Sequence, residues 1–409
     1  MESNILLTNK EEHVYEIFDE CLKSNHVTLA YSGGKDSTVL AILFLRWLKY
    51  RGIKELYITL LHNDTLGEIN PMEIWAREFM YKFKSVAESI GNYVNINIAK
   101  PSIVDSFYWR VFIRGYPAPT FNFRWCVNLL KIRPTSNIID SNSNNGNDYS
   151  NSILLVGIRE SESSARISLV KKKYGNCPAG AGKCLAYYFA VENKNKIAPL
   201  RDWSNADIWE FLRCIKKEDD IGIDISPLLY LYGCEEARYG CWHCTLTKVQ
   251  WGLHALDDRY LYWDALRLLY RKISDIPSLR LKKNKGYSKL GALNAKARTL
   301  LLRLLAITEE VSGIKAYGLD ELTYKGYTLR AILYELDAKE ANKLIDEIDP
   351  TIDRRRKVGI QDIRDLNKYQ FNNIITELKR MTENEKSVIL AKKRGFDVIN
   401  ILLNKLTYK

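Results

Sequence analysis

The run Ser32-Gly33-Gly34-Lys35-Asp36-Ser37-Thr38 sets hydroxyls, one cation and one carboxylate around two glycines. Glycines let a backbone approach a phosphate closely, and where such a turn opens a helix the first helical amides point at the anion. Lys35 can neutralise charge on a leaving pyrophosphate, while the hydroxyls of Ser32, Ser37 and Thr38 can donate to phosphate oxygens. Asp36 fits beside phosphates if a magnesium ion is shared, because carboxylate and phosphate oxygens suit its octahedral shell. The spacing is not that of the Walker A loop, which needs glycine, four residues and then Gly-Lys-Ser/Thr.

The eight cysteines form a second candidate. Cys177 lies near Cys184, and Cys234 near Cys241 and Cys244. In a reducing cytoplasm such grouping predicts metal or cluster ligands, not a disulfide framework. The two-residue gap between Cys241 and Cys244 lets both thiolates face one metal, and Cys234 adds a third local donor. Zinc could take a fourth cysteine or His243, whereas an iron–sulfur cluster asks for four thiolates, so the spacing leaves both open. Cys21 and Cys214 lie in apolar helical patterns and read as core residues.

Both groups need a scaffold. Strands are predicted at 27–31, 55–61, 93–99 and 153–158, and helices at 37–51 and 71–90, each stopped by a glycine. Ser204, three residues before Asp207, marks the start of a further helix over 205–217. Alternating strands and helices predict an α/β fold, a doubly wound and mainly parallel sheet. The expected division is a nucleotide-binding α/β domain at 1–205, with a flexible Asn/Ser-rich insertion at 141–152. A cysteine-rich module at 206–252 and a basic helical domain at 253–409 follow.

With 46% apolar and 27% charged residues, the chain has the composition of a soluble globular protein. No apolar run could span a bilayer, and Met1 to Lys10 lack the pattern of a secretory signal, so a cytoplasmic location is expected. The formal charge is +12, and ten Lys/Arg against one acid fall between Arg271 and Arg303. That density predicts either a nucleic-acid partner or a solvated helical face.

The glycine turn resembles the PP-loop of ATP pyrophosphatases (adenine nucleotide alpha hydrolase-like), which cleave between the α and β phosphates and transfer AMP. Asn63-Asp64-Thr65, Arg124-Trp125-Cys126 with Lys131, Val156-Gly157-Ile158-Arg159-Glu160-Ser161, and Pro199-Leu200-Arg201-Asp202-Trp203 with Asp207-Ile208-Trp209 resemble motifs of the phosphoadenosine phosphosulfate reductase family, in family order. The resemblance covers residues 25–250. Within that family, Arg238-Tyr239-Gly240-Cys241-Trp242-His243-Cys244-Thr245 is most similar to the DndC group of DNA phosphorothioation sulfurtransferases.

The resemblance implies catalytic roles for Lys35, Asp36 and Asp64. It implies nucleotide contacts from Ser32 to Thr38, Asp64, Thr65 and Gly157, and places the cations Arg124, Lys131 and Arg159 around the phosphates or a bound acidic group. It favours a four-iron four-sulfur cluster over zinc, held by Cys234, Cys241 and Cys244 with Cys184, the nearest upstream cysteine, preferred to Cys126 as the fourth ligand. A reductase of the family proper uses an already activated nucleotide and a redox cysteine near the C-terminus, whereas here the loop keeps Lys35 and Asp36 and the last cysteine is Cys244. The expected function is therefore ATP- and magnesium-dependent adenylylation of an acceptor for sulfur transfer, with DNA favoured as acceptor. Further partners would be a sulfur donor and an electron donor. Thiolation of tRNA, the reductase reaction and a non-catalytic nucleic-acid-binding role are the alternatives.

Overall fold

The computed structural model describes residues 2–21, 25–144, 153–162, 196–218, 220–233, 235, 237, 239–282, 290–352, 358–385, 392 and 397–406. They fall into two compact units, the first made of Met1–Asn63, Pro71–Ala99 and Thr135–Leu231, the second of Asp64–Asn70, Lys100–Pro134 and Tyr232–Lys409.

The first unit is built on a five-stranded sheet of β1 (His26–Tyr31), β2 (Tyr57–Asn63), β3 (Tyr93–Ala99), β4 (Ile153–Val156) and β5 (Lys196–Ile197). The order is β3-β2-β1-β4-β5 and every pairing is parallel. Val27 stands opposite Ile58 and Ile153, and Leu29 opposite Leu60 and Leu155. Central strands covered on both faces must be apolar on both, which is why β1 reads as a nearly continuous hydrophobic run. The expected doubly wound α/β fold is what forms.

Its helices are α1 (Glu2–Cys21), α2 (Lys35–Arg51), α3 (Asn70–Ile90), α4 (Arg133–Asn144), α5 (Asn205–Glu218) and α6 (Ser226–Tyr232). Val39 to Leu45 in α2 are buried on every side, and Gly52 ends the helix in the left-handed conformation at φ 65°. Ser204 Oγ accepts the Asp207 amide at 3.1 Å while Asp207 accepts the Ser204 amide at 2.7 Å. This reciprocal cap stabilises the start of α5 by about 1 kcal/mol. The apolar helical pattern read around Cys21 belongs to α1, whose Phe18 meets Phe44 and Trp47 edge-on. Helix α4 continues through Asn144, and the rest of the expected insertion, 145–152, lies outside the described residues.

The second unit is mainly helical. Helices α7 (Trp251–Leu256), α8 (Tyr260–Asp275) and α9 (Ala295–Ser312) precede α10 (Tyr317–Glu321), α11 (Ala338–Ile348), α12 (Ile360–Arg364), α13 (Asn372–Thr382) and α14 (Val398–Lys405). Leu266, Leu269 and Ile273 of α8 and Leu301, Leu304 and Leu305 of α9 are core residues. Asn294 caps α9 by accepting the Ala297 amide at 3.0 Å. The short hairpin of β6 (Arg280–Lys282) and β7 (Leu290–Leu293) falls within the basic stretch.

Several cations of that stretch serve the unit itself. Arg298 is wholly buried and donates to the Leu293 and Ile113 carbonyls at 3.1 and 2.9 Å. Arg280 donates to the Gly291 carbonyl at 2.6 Å, Lys272 pairs with Glu385, and Lys296 lies over the Phe371 ring. Lys282 is exposed, while Lys283, Lys285 and Lys289 lie outside the described residues. The formal charge of the segment thus overstates what a polyanion would meet. Among the described residues, no helix is long and apolar enough to cross a membrane.

Candidate active site

Strand order reverses about β1, which has β2 on one side and β4 on the other, and open α/β sheets bind ligands beyond the carboxyl ends of strands at such a switch point. Ser32 to Gly34 leave β1 there, and Gly157 to Arg159 leave β4. Gly33 has φ 76°, and a Cβ on it would come within 2.8 Å of Ala76 Cβ. A Cβ on Gly157 would lie 3.1 Å from the Asp36 carbonyl, so a larger residue there would crowd the first turn of α2.

Side chains fix the loop from within. Ser37 Oγ donates to the Gly34 carbonyl at 2.9 Å and accepts the Ser32 amide at 3.2 Å, with Ser32 Oγ 3.0 Å away. Thr38 Oγ1 lies 3.4 Å from Tyr31 Oη. Lys35 is buried, with Nζ 3.4 Å from the Asp36 carboxylate, and Arg159 Nε donates to the same carboxylate. Arg159 is held in turn by Ser161 Oγ at 2.8 Å and the Trp203 carbonyl at 3.3 Å. First-turn amides have no acceptor within their own helix. Together with two buried cations they make this end of the sheet an anion site.

A brace behind the loop comes from residues that the motifs do not mark. Trp75 Nε1 donates to the Gly33 carbonyl at 3.1 Å. His62, at the end of β2, has Nδ1 2.9 Å from the Tyr31 carbonyl and Nε2 3.0 Å from Glu73 Oε2, and Arg77 Nε donates to Glu73 Oε1 at 2.7 Å. Both ring nitrogens of His62 face acceptors, an arrangement satisfied when each carries a proton. Burial works against the Glu73 charge, but His62 and Arg77 outweigh it and hold the carboxyl below its ordinary range. Its contribution is therefore present at neutral pH and lost as pH falls through that lowered value. Glu73→Gln is expected to cost about 3 kcal/mol in urea denaturation at neutral pH, as for other buried ion pairs that lose one partner. The gap to wild type should close in acid, and a pH-independent gap would contradict the ionised brace.

In the second unit, Asp64 is fully buried. It accepts the Leu66 amide at 2.9 Å and the Tyr317 hydroxyl at 3.0 Å, and Lys100 Nζ is 3.7 Å away. Thr65 faces the cysteines: its hydroxyl lies 3.0 Å from Cys241 Sγ and donates to Glu68 Oε1 at 3.1 Å. Cys126, Cys244, Cys241 and Glu68 all lie within electrostatic reach of Lys131. Desolvation opposes the Lys131 charge, yet these neighbours prevail and hold the ammonium above the usual lysine range. Burial pushes the Cys241 thiol well up and Glu68 adds to it, while Lys131 and the Thr65 hydrogen bond pull the other way. Burial raises the Cys126 thiol too, with Cys244 adding. Lys131 thus stands with the cysteines, and Arg124 is exposed with its guanidinium over the Phe121 ring at 5.1 Å.

The cysteine loop has its own clamp. Arg267, fully buried on α8, donates to Asp264 at 2.7 Å and to the Thr247 and Lys248 carbonyls at 2.8 and 3.2 Å. Trp242 meets Trp263 edge-on and donates its amide to the Gly67 carbonyl at 2.7 Å. His243 stacks flat on Phe107 at 3.7 Å, and its Nε2 has no hydrogen-bond partner among the described residues. Burial, with Lys131 adding, pushes its pKa down to about 3, so the ring is neutral.

A metal ion binds thiolate by displacing the thiol proton and neutralises the charge that the surroundings would otherwise have to solvate, and soft sulfur donors suit iron or zinc. Cys126, Cys241 and Cys244 fit a thiolate-held centre in kind. Among the described residues, no group of three or more His, Cys, Asp or Glu is arranged to hold a metal. Cys184 and Cys234 lie outside the described residues.

A 219-residue stretch, 53% of the chain, is 26% identical to the uncharacterized protein MJ0066 of Methanocaldococcus jannaschii, and it spans 36% of that protein's length. The phosphoadenosine phosphosulfate reductase domain model matches residues 26–247, from the first residue of β1 to the carbonyl that Arg267 holds beyond Cys244. More than half of the chain lies within that match, and the chain belongs to the phosphoadenosine phosphosulfate reductase domain family.

Proposed function

We propose that this nucleotide-utilising enzyme is a cytoplasmic ATP pyrophosphatase that adenylylates an acceptor for sulfur transfer, with DNA phosphate as the acceptor, as in the DndC group. The observation that carries this reading is the Lys35-Asp36 pair on the first turn of α2, with Arg159 bonded to Asp36 across the sheet's switch point. A loop that receives an activated nucleotide needs only to bind it, whereas one that expels pyrophosphate needs a cation on the leaving group and a carboxylate for magnesium.

In this scheme the amides of α2 and Lys35 hold the β and γ phosphates. Those phosphates also compete for Arg159, which frees the Asp36 carboxylate for magnesium. An acceptor oxygen attacks the α phosphorus, the bond to the bridging oxygen breaks, and pyrophosphate leaves with the electron pair. A sulfide-level donor then attacks the activated acceptor, and AMP departs with the acceptor's former oxygen. A four-iron four-sulfur cluster on Cys234, Cys241, Cys244 and either Cys184 or Cys126 would, when bound, hold sulfur at the sulfide level for that displacement. Lys131 and Thr65 are the chain's own donors toward the sulfur side, and Asp64 is kept as a catalytic carboxylate on the resemblance alone. The test is pyrophosphate release from ATP by anaerobic protein given DNA, tRNA or sulfate, in which stimulation by DNA is expected.

A further inference from the structure

Residues 106–139 hold five cations and no acid. Three of the cations are engaged internally, Arg110 and Arg133 with Asp105 and Arg114 with Asp349. Between them the chain makes a tight turn, closed by the Thr120–Phe123 bridge in which each amide donates to the other's carbonyl, at 3.3 and 3.0 Å. Trp125 anchors it, buried and donating Nε1 to the Pro117 carbonyl at 3.1 Å.

On this anchored turn Phe121 is 70% exposed and Phe123 45% exposed, with Val127 and Ile132 also exposed nearby in sequence. The rings are held in place. Phe123 stacks on Tyr116 at 6.2 Å, Tyr116 meets Trp125 edge-on, and Arg110 lies over Tyr116. Arg124 lies over the Phe121 ring at 5.1 Å. Two exposed aromatics on an anchored turn, followed directly by an exposed arginine and flanked by no acid, match the requirements of an unpaired nucleotide, which stacks its base on an aromatic face and pairs its phosphate with a cation. Cys126 is three residues beyond Phe123 and has Cys244 and Lys131 within electrostatic reach.

We propose that the turn Thr120–Arg124 is a nucleotide-stacking platform, in which Phe121 and Phe123 receive bases of an unpaired nucleic-acid segment and Arg124 holds its phosphate. The proposal rests on the nucleic-acid acceptor reading and deepens it by assigning where that acceptor is gripped. A duplex would offer no open base face, so the platform engages a single-stranded or locally opened region.

The experiment measures binding of a fluorescent oligothymidylate single strand to the full chain across a salt series. Stacking is neutral, so Phe121→Leu should weaken binding about tenfold with the salt slope unchanged, and Phe121→Trp should restore it. Arg124→Gln should flatten the log–log salt slope by about 0.7, the value for one single-strand phosphate. If Phe121→Leu and Phe123→Leu both bind like wild type, the platform is wrong while the nucleic-acid reading stands. If wild type binds no single strand, or if Phe121→Leu instead abolishes self-association in sedimentation, the surface serves another purpose and the proposal falls. Cleavage of ATP is read separately in every variant, so failure of the platform is distinguishable from failure of the adenylylation reading.

Discussion

Lys35→Ala is expected to lower the kcat of pyrophosphate release by about 10²–10³ while changing the KM for ATP much less. Lys35 is buried on the first turn of α2, with its ammonium 3.4 Å from the Asp36 carboxylate. In the resting enzyme that carboxylate partly balances it, so the lysine gains most when negative charge accumulates on the departing pyrophosphate. An interaction stronger in the transition state than in the ground state appears in kcat, and removing one preorganised donor of this kind costs about 3–4 kcal/mol. Steady-state kinetics of the variant at saturating ATP and magnesium would check this. A wild-type kcat would remove the loop from the chemistry and leave it as a binding element only.

The second large effect concerns the cysteines. Anaerobically purified protein should be brown and contain about four iron and four sulfide per chain, and Cys241→Ser should remove most of both. Cys241 is buried beside Thr65 and Glu68, so a serine there would leave any metal with one ligand missing in a place that water does not readily fill. Cys126→Ser and Cys184→Ser, measured separately, identify the fourth ligand, because only loss of a true ligand lowers the iron content. The grouping of Cys126 with Cys244 and Lys131 makes its variant the more informative of the two. Colourless protein with one zinc per chain would replace the cluster by a structural metal.

Much of the first unit was legible because its signals are local. β1, the glycine turn and α2 follow one another within 26 residues, and each announces itself by pattern or by glycine. The strand at Tyr93–Ala99 and the Ser204–Asp207 cap appear where their residues predict. The brace of His62, Glu73 and Trp75 was not legible, since a buried histidine and a helical glutamate have ordinary surroundings in sequence and meet only through the sheet. The same is true of Arg267, which looks like a surface cation of an amphipathic helix and instead holds the backbone after Cys244. The stretch 100–134 resisted reading for a geometric reason. It contains π-helical turns at Trp109–Ile113 and Asn128–Ile132, which break the 3.6-residue period on which helical patterns depend. Arg298 misled in the opposite direction, because charge counted along a sequence cannot reveal that a guanidinium is buried against carbonyls.

In the proposed reaction the loop breaks ATP between its α and β phosphates on behalf of a nucleic-acid acceptor. This is tested most directly by following ATP labelled at the α phosphate with anaerobic enzyme, magnesium and, in parallel, DNA, tRNA or sulfate. Label is expected to appear as AMP, with matching pyrophosphate, and DNA is expected to stimulate the reaction. Stimulation by tRNA alone would move the acceptor to a base oxygen while keeping the activation step. Label appearing as ADP, or no cleavage with any acceptor, would rule out the adenylylation chemistry.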